Sequence, residues 1–148
     1  MIEVPVIECS AGRGIRSDRY FDFKDDYKGQ ITFFSSEVFT ELCDALQIRD
    51  CSPVVARRNV ITRCADLNQL VGKDFEIHGV RFHGIEECRP CYWMDRAIAP
   101  GAHEFLKGRG GLRAKILCDG RLRPDARPIG VDARECSVAS PFARDRRG

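Results

Sequence analysis

The apolar positions change period several times along the chain, and each change marks an element. The opening "IEVPVIEC" (residues 2–9) is apolar and β-branched and predicts a strand running into the polar turn "SAGRGIRSD". "GQITFF" (29–34) alternates, with Ile31 and Phe33 on one face, and predicts a second strand. Through "SSEVFTELCDALQ" (35–47) the period lengthens. Val38, Phe39, Leu42, Cys43 and Leu46 form a helical stripe, with Ser35 or Ser36 placed to cap its N-terminus. "PVVARRNVIT" (53–62) returns to strand character, and "ADLNQLVGK" (65–73) reads as a helical turn stopped by Gly72. Phe75, Ile77, Val80 and Phe82 alternate on either side of His78-Gly79, the pattern of a hairpin. A second hairpin is expected in "GLRAKILCDGRLRPD" (111–125), where Asp119-Gly120 suits a two-residue type I′ turn.

Many short strands, one clear helix and few crossover helices predict a mainly β fold, a closed or partly open β-barrel with a few short helices. At 148 residues one compact domain is expected. It is placed at residues 1–125. Beyond it proline and arginine increase and periodicity fades, so 126–148 reads as an extension, partly disordered and frayed in "SPFARDRRG".

Charge and composition narrow the partners. Basic and acidic residues number 24 and 22, a net charge of +2, so no overall field draws the chain to nucleic acid or an anionic membrane. The N-terminus lacks a basic leader followed by an apolar run, and no stretch is long and apolar enough to span a bilayer. The expectation is a cytoplasmic protein whose eight cysteines are reduced and mostly buried. Nothing in the sequence sets the oligomeric state.

Two of those cysteines stand at C-x-x-C spacing in "GIEECRPCYWMD" (84–95), just ahead of the only tryptophan. Structural zinc needs four ligands, and there is no second such pair, so no zinc is expected. Dithiol exchange needs the first cysteine at a helix N-terminus in a βαβ setting, whereas this pair follows two antiparallel-looking strands. A single working sulfur is the third reading, with Arg89 between the cysteines as a nearby positive charge. The fourth is two buried fillers at a hairpin end.

The surrounding residues weigh on that choice. "VVARRNVITRCADLNQLVGKDFEIHGVRFHGIEECRPC", a helix-like segment ending in "PG", and "FLKGRGGLRAKILCDGRLRPD" resemble, in order and spacing, the MOSC family, named for the C-terminal domain of molybdenum-cofactor sulfurases. Upstream, "GIRSDRYFDF" and "GQITFFSSEVF" resemble the family's Gly-Asp-Arg and Ser-containing segments, with Ser17 where many members carry glycine. The resemblance covers about residues 3–125. It implies a barrel of the MOSC or pyruvate-kinase type, a molybdenum cofactor of the molybdopterin kind, and a cysteine that ligates molybdenum or carries sulfur. That cysteine is the second of the pair, Cys91. Cys88 remains a resolving thiol or filler. A role in reducing N-hydroxylated substrates would need a separate electron-donor protein. A role carrying a persulfide on Cys91 would need a separate cysteine desulfurase. A non-catalytic binding module is the third class.

Such a cofactor asks for phosphate donors, amide partners and one soft ligand. Arg57 matches the family's basic residue, and its planar fork suits bidentate contact, although a solvated strand charge would look the same. Asn59 is placed to bond the pterin or to satisfy a strand end. Ser35 and Ser36 open a helix, where hydroxyl, backbone N–H and dipole favour an anion, as they would in plain capping. "GRGG" (108–111) lets backbone approach a ligand, with Arg109 and Arg113 nearby, or makes a tight turn. Asp18 and Arg19 are family-matched and would otherwise be an exposed ion pair.

Overall fold

The computed structural model describes residues 2–3, 6–16, 18, 20–24, 27–49, 51–53, 57–63, 66–90, 93–123 and 137–143. Short strands run through the chain: β1 (Ile2–Glu3), β2 (Ile7–Ser10), β3 (Gly14–Ile15), β4 (Ile31–Ser35) and β5 (Val60–Arg63). After these come β6 (Asp74–Ile77), β7 (Val80–Glu87), β8 (Leu112–Ile116), β9 (Gly120–Leu122) and β10 (Ser137–Ala143). Helix α1 (Ser36–Leu46) follows β4, and the short α2 (Trp93–Ala97) and α3 (Ala102–Phe105) lie between β7 and β8. The fold is mainly β, as expected. Seven strands in the order β1-β10-β5-β4-β8-β7-β6 make a curled half-barrel sheet, and β3-β2-β9 make a second, smaller one.

Strand alternation divides the large sheet into two faces. The inner face carries Ile31 and Phe33 of β4, Val60 of β5, Leu112 and Ala114 of β8 and Phe82 of β7, all in one buried cluster. Phe33 makes edge contacts with Phe75 and Phe82, at 5.5 and 5.4 Å between ring centroids. On the outer face Phe34 and Ile61 pack beneath Phe39 and Leu42 of α1, Met94 of α2 and Leu106, which follows α3.

Several local expectations hold. Ser35 caps α1, its Oγ accepting from the Val38 N–H at 3.2 Å. The helix stops at Gln47, whose backbone turns left-handed at φ 53°. His78 and Gly79, at φ 52° and 80°, form the two-residue turn between β6 and β7, which pair antiparallel with Ile77 opposite Val80. Leu67–Leu70 is a 3₁₀ turn ending before Gly72 at φ 77°.

Two expectations need correction. Asp119-Gly120 does not join paired strands: β8 lies between β4 and β7, whereas β9 pairs with β2 in the other sheet. The dipeptide turns a corner from one sheet to the other, where the Asp119 carboxylate accepts from the Ala11 N–H at 2.7 Å and Gly120 lies against Val80. The extension is likewise not wholly frayed, because β10 sits inside the large sheet between β1 and β5. Of the extension, 126–136 and 144–148 lie outside the described residues.

Candidate functional site

One row of outer-face residues crosses the middle of the large sheet. Thr32 lies opposite Arg113, and Arg113 lies opposite Glu86. Asn59, just before β5, joins the row through its side chain, whose Oδ1 accepts from the Thr32 N–H at 2.9 Å and from the Thr32 hydroxyl at 3.0 Å. The Thr32 Oγ in turn accepts from the Asn59 N–H at 3.0 Å. At the end of the row, Asn59 Nδ2 donates to Asp18 Oδ1 at 3.2 Å, and the other Asp18 oxygen accepts from the Tyr20 N–H at 3.1 Å. A continuous polar path therefore leads from the loop before β4 to the β7–β8 pair.

The irregularity in β7 decides what shares this row. Pairing shifts between Gly84↔Ala114 and Glu86↔Arg113, leaving Ile85 as an extra residue. Regular alternation from Val80, Phe82 and Gly84 would aim residues 86 and 88 at the core. The bulge reverses them, because a one-residue slip exchanges faces. Cys88 thus comes to lie diagonally across from Arg113, its N–H donating to Gly111 O at 2.8 Å. The Arg113 guanidinium stands 3.8 Å from Glu86 Oε1. Burial works against the Arg113 charge. The nearby Cys88, Tyr27 and Glu86 groups outweigh it and hold the guanidinium above its ordinary value.

Arg58 was not singled out in the sequence, yet it fastens this corner. It is buried, and it donates from Nε to Gly110 O at 3.0 Å and from Nη2 to Cys88 O at 3.1 Å. Its neighbour Arg57 has a left-handed backbone, φ 57°, and an exposed side chain whose guanidinium lies 4.1 Å from the centre of the Trp93 ring. Alternating neighbours in "ARRN" thus divide the work, one arginine inward and one outward. The buried one was detectable only from pairing geometry.

The other expected site residues are distributed as follows. Asn59 is 0 % exposed and Asp18 1 % exposed, so Asn59 supports the site from behind and does not present its amide at a surface, and Asp18 is no exposed ion-pair member. Ser35 and Arg109 meet at an open cleft that Asp66, Asn68 and Gly111 also line. There Arg109 is already engaged, 3.0 Å from Glu41 Oε2, with its Nε donating to Phe105 O at 3.2 Å. Ser36 turns its hydroxyl to Glu37, donating at 2.7 Å. Cys91 and Arg19 lie outside the described residues.

The described cysteines differ in their surroundings. Burial first, then Cys118 and Asp119, push the Cys9 thiol up to about 12. Below about pH 9 this group is protonated in both folded and unfolded chains and adds no pH dependence. Above that the unfolded chain ionises first, so stability is lost between about pH 9 and about pH 12, by up to about 4 kcal/mol. Urea denaturation over this range should show a steeper alkaline loss in the native sequence than in Cys9→Ala. Equal slopes would contradict the assignment.

No protein-family model matches the chain, and no curated protein matches it. Among solved structures, the chain is similar to the YUAD protein from Bacillus subtilis, with a TM-score of 0.67 at 19% identity over 81% of each chain. It is also similar to a hypothetical protein, with a TM-score of 0.62 at 11% identity over 97% of this chain and 70% of the other. These likenesses concern the fold. Among the described residues no helix is long and apolar enough to cross a membrane.

Proposed function

We propose that this chain is a MOSC-type protein that holds a molybdenum cofactor of the molybdopterin kind at the outer-face row, with Cys91 as its soft ligand. The observation that carries the reading is the bulge at Ile85, which turns the first sulfur of the C-x-x-C pair onto the same face as Arg113 and the Asn59–Thr32 row. The donor set fits such a group. Arg57 is exposed and braced on Trp93, as a phosphate or pterin contact requires. When bound, the metal would supply two-electron chemistry toward an N-hydroxylated substrate, with electrons from a separate donor protein.

A second reading rests on the same resemblance, which implies a cysteine, Cys91, that carries a persulfide. In it the protein carries sulfur received from a separate cysteine desulfurase. Metal analysis of protein purified from a host that makes the cofactor separates the two. Near-stoichiometric molybdenum, lost in Cys91→Ser with the circular dichroism spectrum unchanged, is expected for the first reading. Metal-free protein carrying cyanide-labile sulfur would replace it with the second, and neither metal nor labile sulfur would leave a non-catalytic binding module.

A further inference from the structure

Arg57 is held as a presented charge. Its backbone is left-handed, at φ 57°, a conformation that residues with a side chain rarely adopt, so surrounding contacts must keep it there. On the buried side the next residue, Arg58, supplies one: its guanidinium binds the carbonyls of Gly110 and Cys88 and ties this segment to the C-x-x-C loop. On the exposed side Trp93 supplies another, with the Arg57 guanidinium 4.1 Å from the centre of its ring. Trp93 opens α2 and packs against the outer-face cluster, so the ring is itself fixed.

The indole covers a face of the guanidinium and leaves its edge free, because the N–H groups of arginine lie in the guanidinium plane. Among the described residues Arg57 forms no ion pair. The same holds for Arg89, in the C-x-x-C loop, and for Arg96, one turn beyond Trp93 on α2, and all three are exposed. The carboxylates of this corner are engaged elsewhere. Glu86 faces Arg113, Glu87 accepts from the Gly110 N–H, and Asp95 accepts from the His103 N–H. A neutral ring would gain hydrogen bonds along the free edge of Arg57, whereas an oxyanion gains them with charge assistance. A phosphate monoester brings about twice the charge of a carboxylate to this group of arginines.

We propose that Trp93 is the positioning residue of a phosphate site at Arg57, the indole fixing the guanidinium plane so that its free edge takes two oxygens of a phosphate monoester. The inference deepens the cofactor reading above and rests on it only for which phosphate is bound. Between phosphate and pterin, it gives Arg57 to the phosphate.

Trp93 is the only tryptophan in the chain, so its emission reports on Arg57 directly. The full-length protein, purified from a host unable to make the cofactor, is titrated with inorganic phosphate against chloride at equal ionic strength. A saturable change in emission is expected, and calorimetry gives the affinities of variants that lack the fluorophore. Arg57→Gln should weaken phosphate binding by about tenfold or more, and Arg57→Lys should recover only part, since an ammonium keeps the charge and loses the fork. Trp93→Leu, with Arg57 intact and the circular dichroism spectrum unchanged, should weaken binding by about threefold. Trp93→Phe, which keeps an aromatic face, should restore most of it. Guanosine monophosphate should bind and guanosine should not. Native affinity in Trp93→Leu would overturn the positioning role, and native affinity in Arg57→Gln would overturn the site. Guanosine bound as tightly as its monophosphate would overturn the choice of phosphate over ring. Phosphate bound at Arg57 of a protein that takes up no molybdenum in a competent host would keep this proposal and remove the cofactor reading. Molybdenum uptake with no phosphate binding at Arg57 would do the reverse.

Discussion

Replacing Gly111 by alanine is expected to destabilise the protein by about 3 kcal/mol or more, the largest single effect at the site. Two causes combine. Gly111 sits at φ 114°, a conformation that residues with a side chain rarely adopt, and an added Cβ would collide with the carbonyl oxygen of Phe33 and come within 3.5 Å of Arg58 Nε. Neither neighbour gives easily, since Phe33 belongs to the central strand β4 and Arg58 is tied to Gly110 and Cys88. Gly108 is the matched control. It too has positive φ, 83°, but nothing lies within 4 Å of its Cβ position, so Gly108→Ala should cost only about 1 kcal/mol of backbone strain. Urea denaturation of both variants checks the difference. Equal costs would show that the close approach of Gly111 to β4 is wrong.

Asn59→Leu should cost about 3 kcal/mol, because it removes an amide that accepts two hydrogen bonds from Thr32 and donates one to Asp18, all in the buried interior. Leucine keeps the branching and heavy-atom count but is larger, so crowding adds to the loss of polar partners. The effect should also spread. Asp18 anchors the segment between β3 and β4 through the Tyr20 N–H, and that segment also holds the Tyr20–Phe23–Tyr27 ring cluster. Limited proteolysis should cut between residues 13 and 28 sooner in Asn59→Leu than in the native sequence at matched global stability. Unchanged cleavage would show that the loop is held by its rings alone.

What the sequence made legible followed from local physics. The α1 stripe, its Ser35 cap and the His78-Gly79 turn each depend on residues within one element, and each was found where the pattern placed it. What it concealed depended on pairing partners. Asp119-Gly120 has the chemistry of a hairpin turn, but that chemistry serves equally at a corner between sheets. The bulge at Ile85 leaves no mark in composition, although it decides which face carries Cys88. Asn59 looked like a ligand contact because a polar residue beside a strand is ambiguous until its neighbours are known. Arg57 and Arg58 are chemically identical in sequence and opposite in burial. The β10 strand escaped because it lies in a stretch of weak periodicity and pairs with strands far away in the sequence, β1 and β5.

That last arrangement bears on how the protein is made. With Ile2 opposite Ala143 and Arg63 opposite Ser137, the large sheet joins residues from near both ends of the chain. During synthesis β4, β5 and the β6–β7 hairpin emerge well before β10, so one side of β5 stays open until the ribosome has passed residue 143. Such distant pairing slows folding and exposes an unpaired strand edge in the meantime. The growing chain thus has a long interval in which to aggregate or to recruit a chaperone, and that interval closes only when β10 is free to pair with β1 and β5.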